Sequence, residues 1–195
     1  MGFRSGLRGV IVSACLMAWA SGCGGHKEVG VIDTSKGAIV VELYGKDAPQ
    51  HVANFKKLAA EGFYKGTTFH RIVPGFVIQG GDPNSKDDNL ANDGAGGPGY
   101  TLPAEIKLKH ERGSLAAART GDEYNPTRAS SGSQFYICLQ PLEMLDGQYT
   151  VYGKVIEGME VVDAIARLPR ITGDPQLASQ PVEKVVIKDV RVEKR

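Results

Sequence analysis

This sequence contains little cysteine, and its net charge is small. Only 3 of its 195 residues are cysteine, and the formal net charge is +1. A chain this close to neutral creates no strong electrostatic field, which argues against nucleic acid or an acidic surface as its partner. The length suggests one domain or at most two, and the 25 glycines favour many short strands over long helices.

The apolar run near the N terminus is too short to cross a bilayer as a helix. It covers residues 10–20, VIVSACLMAWA, and follows a basic start that contains Arg4 and Arg8. A basic start, a short apolar run and then small residues are typical of a secretory signal peptide. We therefore predict a signal peptide over residues 1–22.

The end of this segment resembles a bacterial lipobox. The residues ASGC, 20–23, place small side chains before Cys23, although Ala20 stands where such motifs usually carry Leu. The resemblance implies that Cys23 becomes the first mature residue and carries lipid, with residues 23–28 as a tether. Gly24 is not the Asp that often retains lipoproteins in the inner membrane, so the expected location is the periplasmic side of the outer membrane. The alternative is an ordinary signal peptide without lipid.

The cysteines predict no disulfide within the mature chain. Cys15 falls in the signal peptide and Cys23 would carry lipid, which leaves Cys138 alone. Cys138 lies in the apolar run QFYICL, and no histidine is near it in the sequence. We expect it to be a small buried core residue rather than a nucleophile.

Hydrophobic periodicity predicts about eight strands and two helices. Residues 29–34 and 38–44 alternate as a hairpin with Gly37 in its turn. Apolar residues at helical spacing predict helices over residues 49–62 and 159–168. The remaining predicted strands are 69–73, 76–79, 115–119, 134–139, 150–156 and 182–192.

These elements favour one β-rich domain over residues 29–195. Strands and helices do not alternate as they do in a parallel sheet, and no internal repeat or second core is visible. The economical architecture is a closed eight-stranded antiparallel β-barrel capped by two α-helices, because closure removes the exposed edges of so many strands.

Familiar motifs for phosphate, calcium, metal and nucleophile chemistry are missing or incomplete. GAGGPG, residues 94–99, follows no apolar strand and opens no helix, so a loop is the better interpretation. In DPNSKDDN, residues 82–89, Lys86 stands where a calcium loop needs an acid or amide ligand. The 4 histidines show no metal spacing, and we expect His70 to be tied structurally to backbone or neighbouring polar groups. No Ser-His-acid set follows from the spacing, so the sequence predicts no cofactor and no metal.

One arginine stands out within an apolar stretch. FHRIVPGFVIQGGD, residues 69–82, contains Arg71 and Gln79 among aromatic, aliphatic and glycine residues. A cation beside an apolar surface is costly unless a partner satisfies it. Either Gln79 and backbone carbonyls satisfy Arg71 within the fold, or Arg71 is available to a ligand.

Three segments together resemble the cyclophilin-type peptidyl-prolyl isomerases. They are FHRIVPGFVIQGGD, SSGSQFYICL and MLDGQYTVYGKVIEGMEVVDAI, and the similarity runs from about residue 29 to the C terminus. The family fold is an eight-stranded barrel with two helices, which agrees with the pattern of apolar residues. The resemblance implies that Arg71 is catalytic and that Gln79 supports both Arg71 and the substrate.

The resemblance also implies a substrate-binding surface around Arg71. Its proline pocket is formed by Phe76, Val77, Tyr136 and Leu145. The strand that pairs with the substrate backbone is Ala118, Arg119 and Thr120, and Gln134 lies at an adjoining pocket. The rim is completed by Met144 and Tyr149.

Several of these positions depart from the commoner family residues. Val77 replaces Met, and Tyr136 replaces the Phe of the pocket floor, adding a hydroxyl that needs a partner or a water. Met144 stands where many members carry Trp, a change associated in the family with weaker cyclosporin binding. The other departures are Tyr149 for a frequent His, Arg119 for the Asn of eukaryotic members, and a longer loop over residues 121–130. None of these changes removes Arg71, so activity is expected to persist.

The implied chemistry needs no nucleophile, because no bond is made. Rotation about an X-Pro bond crosses a barrier of about 18–20 kcal/mol, since amide resonance is lost. In the twisted state the prolyl nitrogen becomes basic, and a fixed guanidinium can donate to it while an apolar pocket holds the ring. The planar, permanently charged fork of Arg71 suits this role better than a lysine.

The expected function is therefore peptidyl-prolyl cis-trans isomerisation in exported proteins, which assists their folding in a bacterial envelope. The partners are proline-containing polypeptides and, through Cys23, a membrane. An alternative stays open: a proline-peptide binding module whose isomerisation is incidental, suggested by the altered rim at Tyr136, Met144 and Tyr149. Nothing in the sequence demands more than a monomer.

Overall fold

The computed structural model describes residues 1–2 and 27–195, which include the whole predicted domain. The predicted signal peptide, except for its first two residues, lies outside the described part of the chain, as does Cys23. Among the described residues, no helix has both the length and the apolar character needed to cross a membrane.

A hairpin opens the fold, as predicted. Strand β1 (Glu28–Thr34) pairs antiparallel with strand β2 (Gly37–Leu43). Gly37 has a φ of 132°, and a Cβ built there would lie 2.8 Å from the side chain of Val161. The backbone angle and the close approach of Val161 therefore both require glycine at the end of this turn.

Eight strands form one antiparallel sheet. Besides the hairpin, its strands are β3 (Arg71–Val73), β4 (Val77–Gly80), β6 (Ser114–Ala117), β8 (Phe135–Cys138), β9 (Val151–Glu157) and β10 (Ile187–Lys194). Their order is β10-β1-β2-β9-β6-β8-β4-β3. A separate two-stranded sheet pairs β5 (Thr101–Leu102) with β7 (Ser130–Ser131). Periodicity did not predict these strands, because two residues are too few to show an alternation.

The sheet curls into a half-barrel that stays open, so the prediction of a closed barrel is wrong. Within the described residues its edge strands β3 and β10 form no continuous ladder, and one isolated bridge joins Thr68 to Val186. The predicted strand over residues 182–192 begins only at Ile187. The strand starts late because the chain before Ile187 pairs elsewhere. The N–H of Val182 donates to the carbonyl of Pro169 at 2.9 Å and not to a strand of the sheet.

Two helices pack on this sheet, as predicted. Helix α1 (Pro49–Ala60) buries Phe55 and Leu58, and helix α2 (Met159–Ala166) buries Val162 and Ile165. Leu168, which was predicted to end the second helix, follows α2 as a partly buried residue against the same core.

Strand alternation sends neighbouring side chains into two different apolar clusters. Along β8, Phe135 and Ile137 enter the main core between the sheet and the helices, while Tyr136 and Cys138 enter a smaller cluster. This smaller cluster also holds Val77 and, partly buried, the side chains of Phe76, Leu145 and Tyr149. The period-2 geometry of a strand produces this division, and it places the predicted pocket residues together.

Candidate active site

Arg71 and Gln79 are brought together by the register of β3 and β4. The two residues lie directly opposite each other in the antiparallel pair, so their side chains project from the same face of the sheet. The turn between them contains Gly75 with a φ of 68°, which glycine adopts without a steric penalty. Nη1 of Arg71 donates to Oε1 of Gln79 at 3.2 Å.

A second amide fixes the orientation of Gln79. Nε2 of Gln79 donates to Oε1 of Gln134 at 3.0 Å. Nε2 of Gln134 in turn donates to the carbonyls of Gly94 and Gly96, at 2.9 and 2.8 Å. Because this chain of donors ends on backbone carbonyls, Gln79 must present its oxygen, and not its nitrogen, to Arg71.

The loop that receives Gln134 is itself anchored by a buried carboxylate. Asp82 is fully buried, and its Oδ2 accepts the backbone N–H of Gly96 at 3.2 Å and also that of Gly94. The sequence predicted a polar, glycine-rich loop here. The structure confirms a loop and shows that Asp82 fixes the part whose carbonyls orient the amide pair.

No carboxylate among the described residues pairs with the charge of Arg71. Among the described residues, Gln79 is the one side chain that accepts a hydrogen bond from the guanidinium. The side chain is half-buried, and burial lowers the pKa of Arg71 below its ordinary value. An arginine stays protonated at neutral pH even so, which leaves a cation with a single neutral acceptor.

This cation lies at a cavity of about 250 Å³. Nine of the predicted site residues line it: Arg71, Phe76, Val77, Gln79, Ala118, Arg119, Tyr136, Leu145 and Tyr149. A volume of this size accommodates a small apolar group such as a side chain or ring. The arrangement therefore places the guanidinium of Arg71 beside a pocket of limited size whose lining includes the apolar side chains of Phe76, Val77 and Leu145.

The other three predicted residues lie outside this cavity. Thr120 and Gln134 line a neighbouring groove of about 830 Å³, which shares Gln79, Ala118 and Arg119 with the cavity. Met144 is 70% exposed in a 3-10 turn, immediately before the pocket residue Leu145.

The predicted substrate-pairing strand ends earlier than expected. Strand β6 stops at Ala117, two residues before the predicted end. The N–H of Ala118 donates to the carbonyl of Gln134 at 3.0 Å, and its carbonyl accepts from the N–H of Ser131 at 2.7 Å. Both backbone groups of Ala118 are therefore bonded within the fold, and pairing with a substrate backbone at residues 118–120 stays a prediction.

Arg119 is held differently from Arg71. Its side chain is only 2% exposed and pairs with Asp122 at 2.7 Å, and its Nε donates to the carbonyl of Gln148 at 2.9 Å. The guanidinium lies 4.4 Å from the ring centroid of Tyr149, a cation–π contact. Arg119 therefore has its charge satisfied within the fold and supports one wall of the cavity.

The hydroxyl of Tyr136 has a protein partner. It lies 3.0 Å from Nε2 of His110, and Nδ1 of His110 lies 3.0 Å from Oδ1 of Asp146. The sequence predicted that this hydroxyl would need a partner but did not point to His110. No local pattern could have done so, because 26 residues separate His110 from Tyr136 and 36 separate it from Asp146.

Two residues outside the site test other expectations. His70 is 5% exposed, and neither ring nitrogen has a partner within hydrogen-bond distance among the described residues. Burial lowers the pKa of the ring, whereas the backbone of Thr68 and the carboxylate of Asp82 raise it, so the expected polar tie stays a prediction. Cys138 is fully buried, as expected, and burial raises the pKa of its thiol to about 12. In the part of the chain that the structure describes, no three metal-ligating side chains come together.

The site thus combines a curled antiparallel sheet, a cavity of limited size and an arginine, Arg71, that an amide holds at this cavity. The chain matches the family model of the cyclophilin type peptidyl-prolyl cis-trans isomerases over residues 30–192. A peptidyl-prolyl cis-trans isomerase of Helicobacter pylori is 46% identical over 139 residues, which cover 69% of this chain and 77% of the relative. Peptidyl-prolyl cis-trans isomerase B of Bacillus subtilis is 42% identical over 158 residues, which cover 80% and 90%.

Solved structures agree with these relatives. The crystal structure of a cyclophilin type peptidyl-prolyl cis-trans isomerase from Cryptosporidium parvum matches with a TM-score of 0.75 at 32% identity, covering 87% of this chain and 99% of that one. Another crystal structure of the parasite protein, in the presence of the dipeptide Ala-Pro, gives a TM-score of 0.74. The chain therefore belongs to the cyclophilin-type peptidyl-prolyl cis-trans isomerase family and is an isomerase of that class.

Proposed function

We propose that Arg71 is the catalytic group of this isomerase and that the cavity beside it takes the proline ring. The observation that carries the proposal is the cation at the cavity, whose one described side-chain acceptor is the neutral amide of Gln79. A carboxylate partner would compete with a ligand for the guanidinium. An amide holds the guanidinium in position and leaves its positive charge available to the substrate.

The mechanism uses differential stabilisation of the twisted amide. In planar cis or trans X-Pro, the nitrogen lone pair is delocalised into the carbonyl and accepts no hydrogen bond. Once the bond has rotated about halfway, that lone pair is localised, and Arg71 donates to it. Since this contact exists only in the transition state, it lowers the barrier without tightening the binding of either planar isomer.

The pocket contributes by fixing one side of the rotating bond. Phe76, Val77, Tyr136 and Leu145 offer apolar surface to the ring, and the chain on the other side of the bond is free to turn. Holding the ring in the planar and the twisted states alike binds the substrate with its rotating bond beside Arg71. No bond to the enzyme forms, so the proposal needs neither a nucleophile nor a cofactor.

We propose further that this chemistry serves exported proteins at a bacterial membrane. The support is the N-terminal sequence alone: a signal-like segment over residues 1–22 that ends in ASGC, with Cys23 as the lipid acceptor. The lipid would hold the domain on the periplasmic side of the outer membrane by a tether over residues 23–28. The clients are then proline-containing chains that fold in the envelope.

Cell fractionation with the full-length chain tests this location. Wild type should sediment with membranes and incorporate labelled fatty acid, whereas Cys23→Ser should do neither. Cys138→Ser serves as the matched control, because that cysteine is buried in the domain and should leave both properties unchanged. Wild type that never takes up the label would contradict the anchor without touching the catalytic proposal.

A refolding assay separates the enzyme from a simple binding module. The client is an unfolded exported protein whose slow refolding phase is limited by prolyl isomerisation. A catalyst accelerates that phase at a tenth of the client's concentration. A binding module slows it or leaves it unchanged, and that outcome would favour the alternative suggested by the altered rim at Met144 and Tyr149.

A further inference from the structure

A buried hydrogen-bonded chain lies behind the wall of the proline pocket. Tyr136 is 5% exposed and His110 is 2% exposed. The hydroxyl of Tyr136 lies 3.0 Å from Nε2 of His110, and Nδ1 of His110 lies 3.0 Å from Oδ1 of Asp146. His110 does not line the cavity, so it reaches a ligand only through its neighbours.

The direction of the hydrogen bonds follows from the chemistry of the groups. An ionised carboxylate can only accept, so Nδ1 of His110 carries the proton and donates to Asp146. Burial, the largest cause, lowers the pKa of His110 below its ordinary value, and the ring is therefore neutral at pH 7. Nε2 is then an acceptor, and Tyr136 donates its hydroxyl proton to it. Every member of the chain is satisfied in this one direction.

His110 also ties together two separate parts of the pocket wall. Its backbone N–H donates to the same Oδ1 of Asp146 at 2.8 Å, and its carbonyl accepts from the N–H of Leu142 at 2.9 Å. Asp146 directly follows the pocket residue Leu145. The bonds of His110 therefore fix the turn that carries Leu145 relative to the strand that carries Tyr136.

Ring packing extends this arrangement to the third wall. The His110 and Tyr136 rings are stacked, 8° apart in plane with centroids 6.1 Å apart. Tyr149 meets both rings edge-on, with centroids 6.0 Å from Tyr136 and 6.4 Å from His110. Tyr149 is held on another side by Arg119, so the ring cluster has little freedom to shift.

We infer that His110 is a positioning residue for the isomerase reaction: by accepting the hydroxyl of Tyr136, it fixes the ring on which the substrate proline rests. The hydroxyl is thereby turned away from the cavity, and the pocket presents an aromatic face instead of a polar group. The inference rests on the proposed pocket, in which Tyr136 contacts the ring. It assigns His110 a role in substrate binding and none in rotating the bond.

This role predicts a particular kinetic signature. The pocket holds the proline ring in the planar states and in the twisted state alike, so loosening it removes uniform binding. His110→Leu should therefore raise KM about 5- to 10-fold while kcat stays within about twofold of wild type. A residue that only stabilised the fold would lower the active fraction and so reduce apparent kcat, with KM unchanged.

A double-mutant cycle tests whether the effect passes through the hydroxyl. In the Tyr136→Phe background there is no hydroxyl from which His110 can accept a hydrogen bond. His110→Leu should therefore raise KM less than twofold further in that background. His110→Gln, whose amide oxygen can accept from Tyr136, should restore KM toward wild type. An undiminished effect in the Tyr136→Phe background would overturn the inference, because His110 would then act by another route.

Nitrogen NMR of the wild-type protein provides a measurement independent of those substitutions. With ¹⁵N-labelled histidine, His110 should show a protonated Nδ1 and an unprotonated Nε2, and Tyr136→Phe should shift the Nε2 resonance. A protonated Nε2 would overturn the inference even if His110→Leu failed to fold. Arg71→Ala, assayed in parallel, keeps the two proposals apart: wild-type turnover there contradicts the catalytic proposal, whereas an unchanged KM in His110→Leu contradicts only this one.

Discussion

Arg71 and Gln79 occupy opposite positions of one antiparallel strand pair, and the guanidinium donates to the amide oxygen at 3.2 Å. The amide is oriented in turn by Gln134 and two backbone carbonyls. The guanidinium of Arg71 is therefore held in a fixed orientation, and its positive charge is not neutralised by Gln79. This relationship explains why an arginine is placed beside an apolar pocket, where burial alone would disfavour a charge.

Replacing the amide by an acid should disable this arrangement. Gln79→Glu would place a carboxylate against Arg71, and an ion pair that is half-buried would compete with the substrate for the guanidinium. We expect kcat/KM to fall by at least about tenfold, which corresponds to about 1.4 kcal/mol of transition-state stabilisation. The measurement is prolyl exchange on an Ala-Pro peptide. Gln176→Glu, an exposed position with the same chemical change, should match wild type.

A rate for Gln79→Glu equal to that of wild type would show that an acid beside Arg71 does not hinder it. The guanidinium could then not be the group that meets the substrate. Circular dichroism of both variants separates this result from a loss of folded protein.

The exposed methionine beside the pocket should govern cyclosporin binding. Met144 is 70% exposed, so Met144→Trp should leave stability unchanged and add an aromatic surface next to Leu145. We expect Kd for cyclosporin to fall about tenfold, which is about 1.4 kcal/mol of added apolar contact. The 1 tryptophan of the sequence lies in residues 1–22, so the introduced indole would report binding by its own fluorescence once the predicted signal peptide is removed.

Val182→Trp provides the matched control for this prediction. Val182 is 66% exposed and lies outside the cavity lining, so an indole there should leave the cyclosporin Kd at its wild-type value. Equal affinity for Met144→Trp and Val182→Trp would show that the rim position does not contact the drug.

Three buried histidines should make the protein sensitive to mild acid. Burial is the largest cause that lowers the pKa of His51, His70 and His110 below the ordinary value of about 6.5. Below about pH 6.5 the unfolded chain therefore binds more protons than the folded one, and the free energy of unfolding falls as the pH falls. Above that pH the stability is fully present. Urea unfolding at pH 5.5 should give a value about 1–3 kcal/mol lower than at pH 7.5.

One carboxyl group opposes this trend and supplies a control. Burial raises the pKa of Asp93 to about 6, so its protonation favours the folded state as the pH falls. Asp93→Asn removes that contribution, and the loss of stability between pH 7.5 and 5.5 should become larger. A wild-type protein that is as stable at pH 5.5 as at 7.5 would contradict the assignment of buried, neutral histidines.

Local patterns predicted the elements that build the fold. Alternation predicted the hairpin of β1 and β2, and helical spacing predicted α1 with Phe55 and Leu58 buried. The turn in FHRIVPGFVIQGGD placed Arg71 and Gln79 on facing strands. Each of these features depends on residues close in sequence, where the period of apolar side chains and the chemistry of glycine decide the outcome.

The features that sequence reasoning missed depend on contacts between distant residues. Glu105 accepts the backbone N–H groups of Gln50 and His51 at the start of α1, across about 55 positions. His110 reaches Tyr136 across 26 positions and Asp146 across 36. No periodicity encodes such pairs, because the topology of the sheet brings them together only after the strands have formed. The open edge of the half-barrel was missed for the same reason.

The most direct test of the account measures cis–trans exchange in a proline peptide by NMR with wild type and three variants. Arg71→Ala should lower kcat/KM about 10²- to 10³-fold with the fold intact, as expected for the loss of one transition-state hydrogen bond to a charged donor. Arg71→Lys, which keeps the charge but loses the planar fork, should fall between Arg71→Ala and wild type. Arg167→Ala, an exposed arginine after α2, should equal wild type. Exchange by Arg71→Ala at the wild-type rate would contradict the central claim.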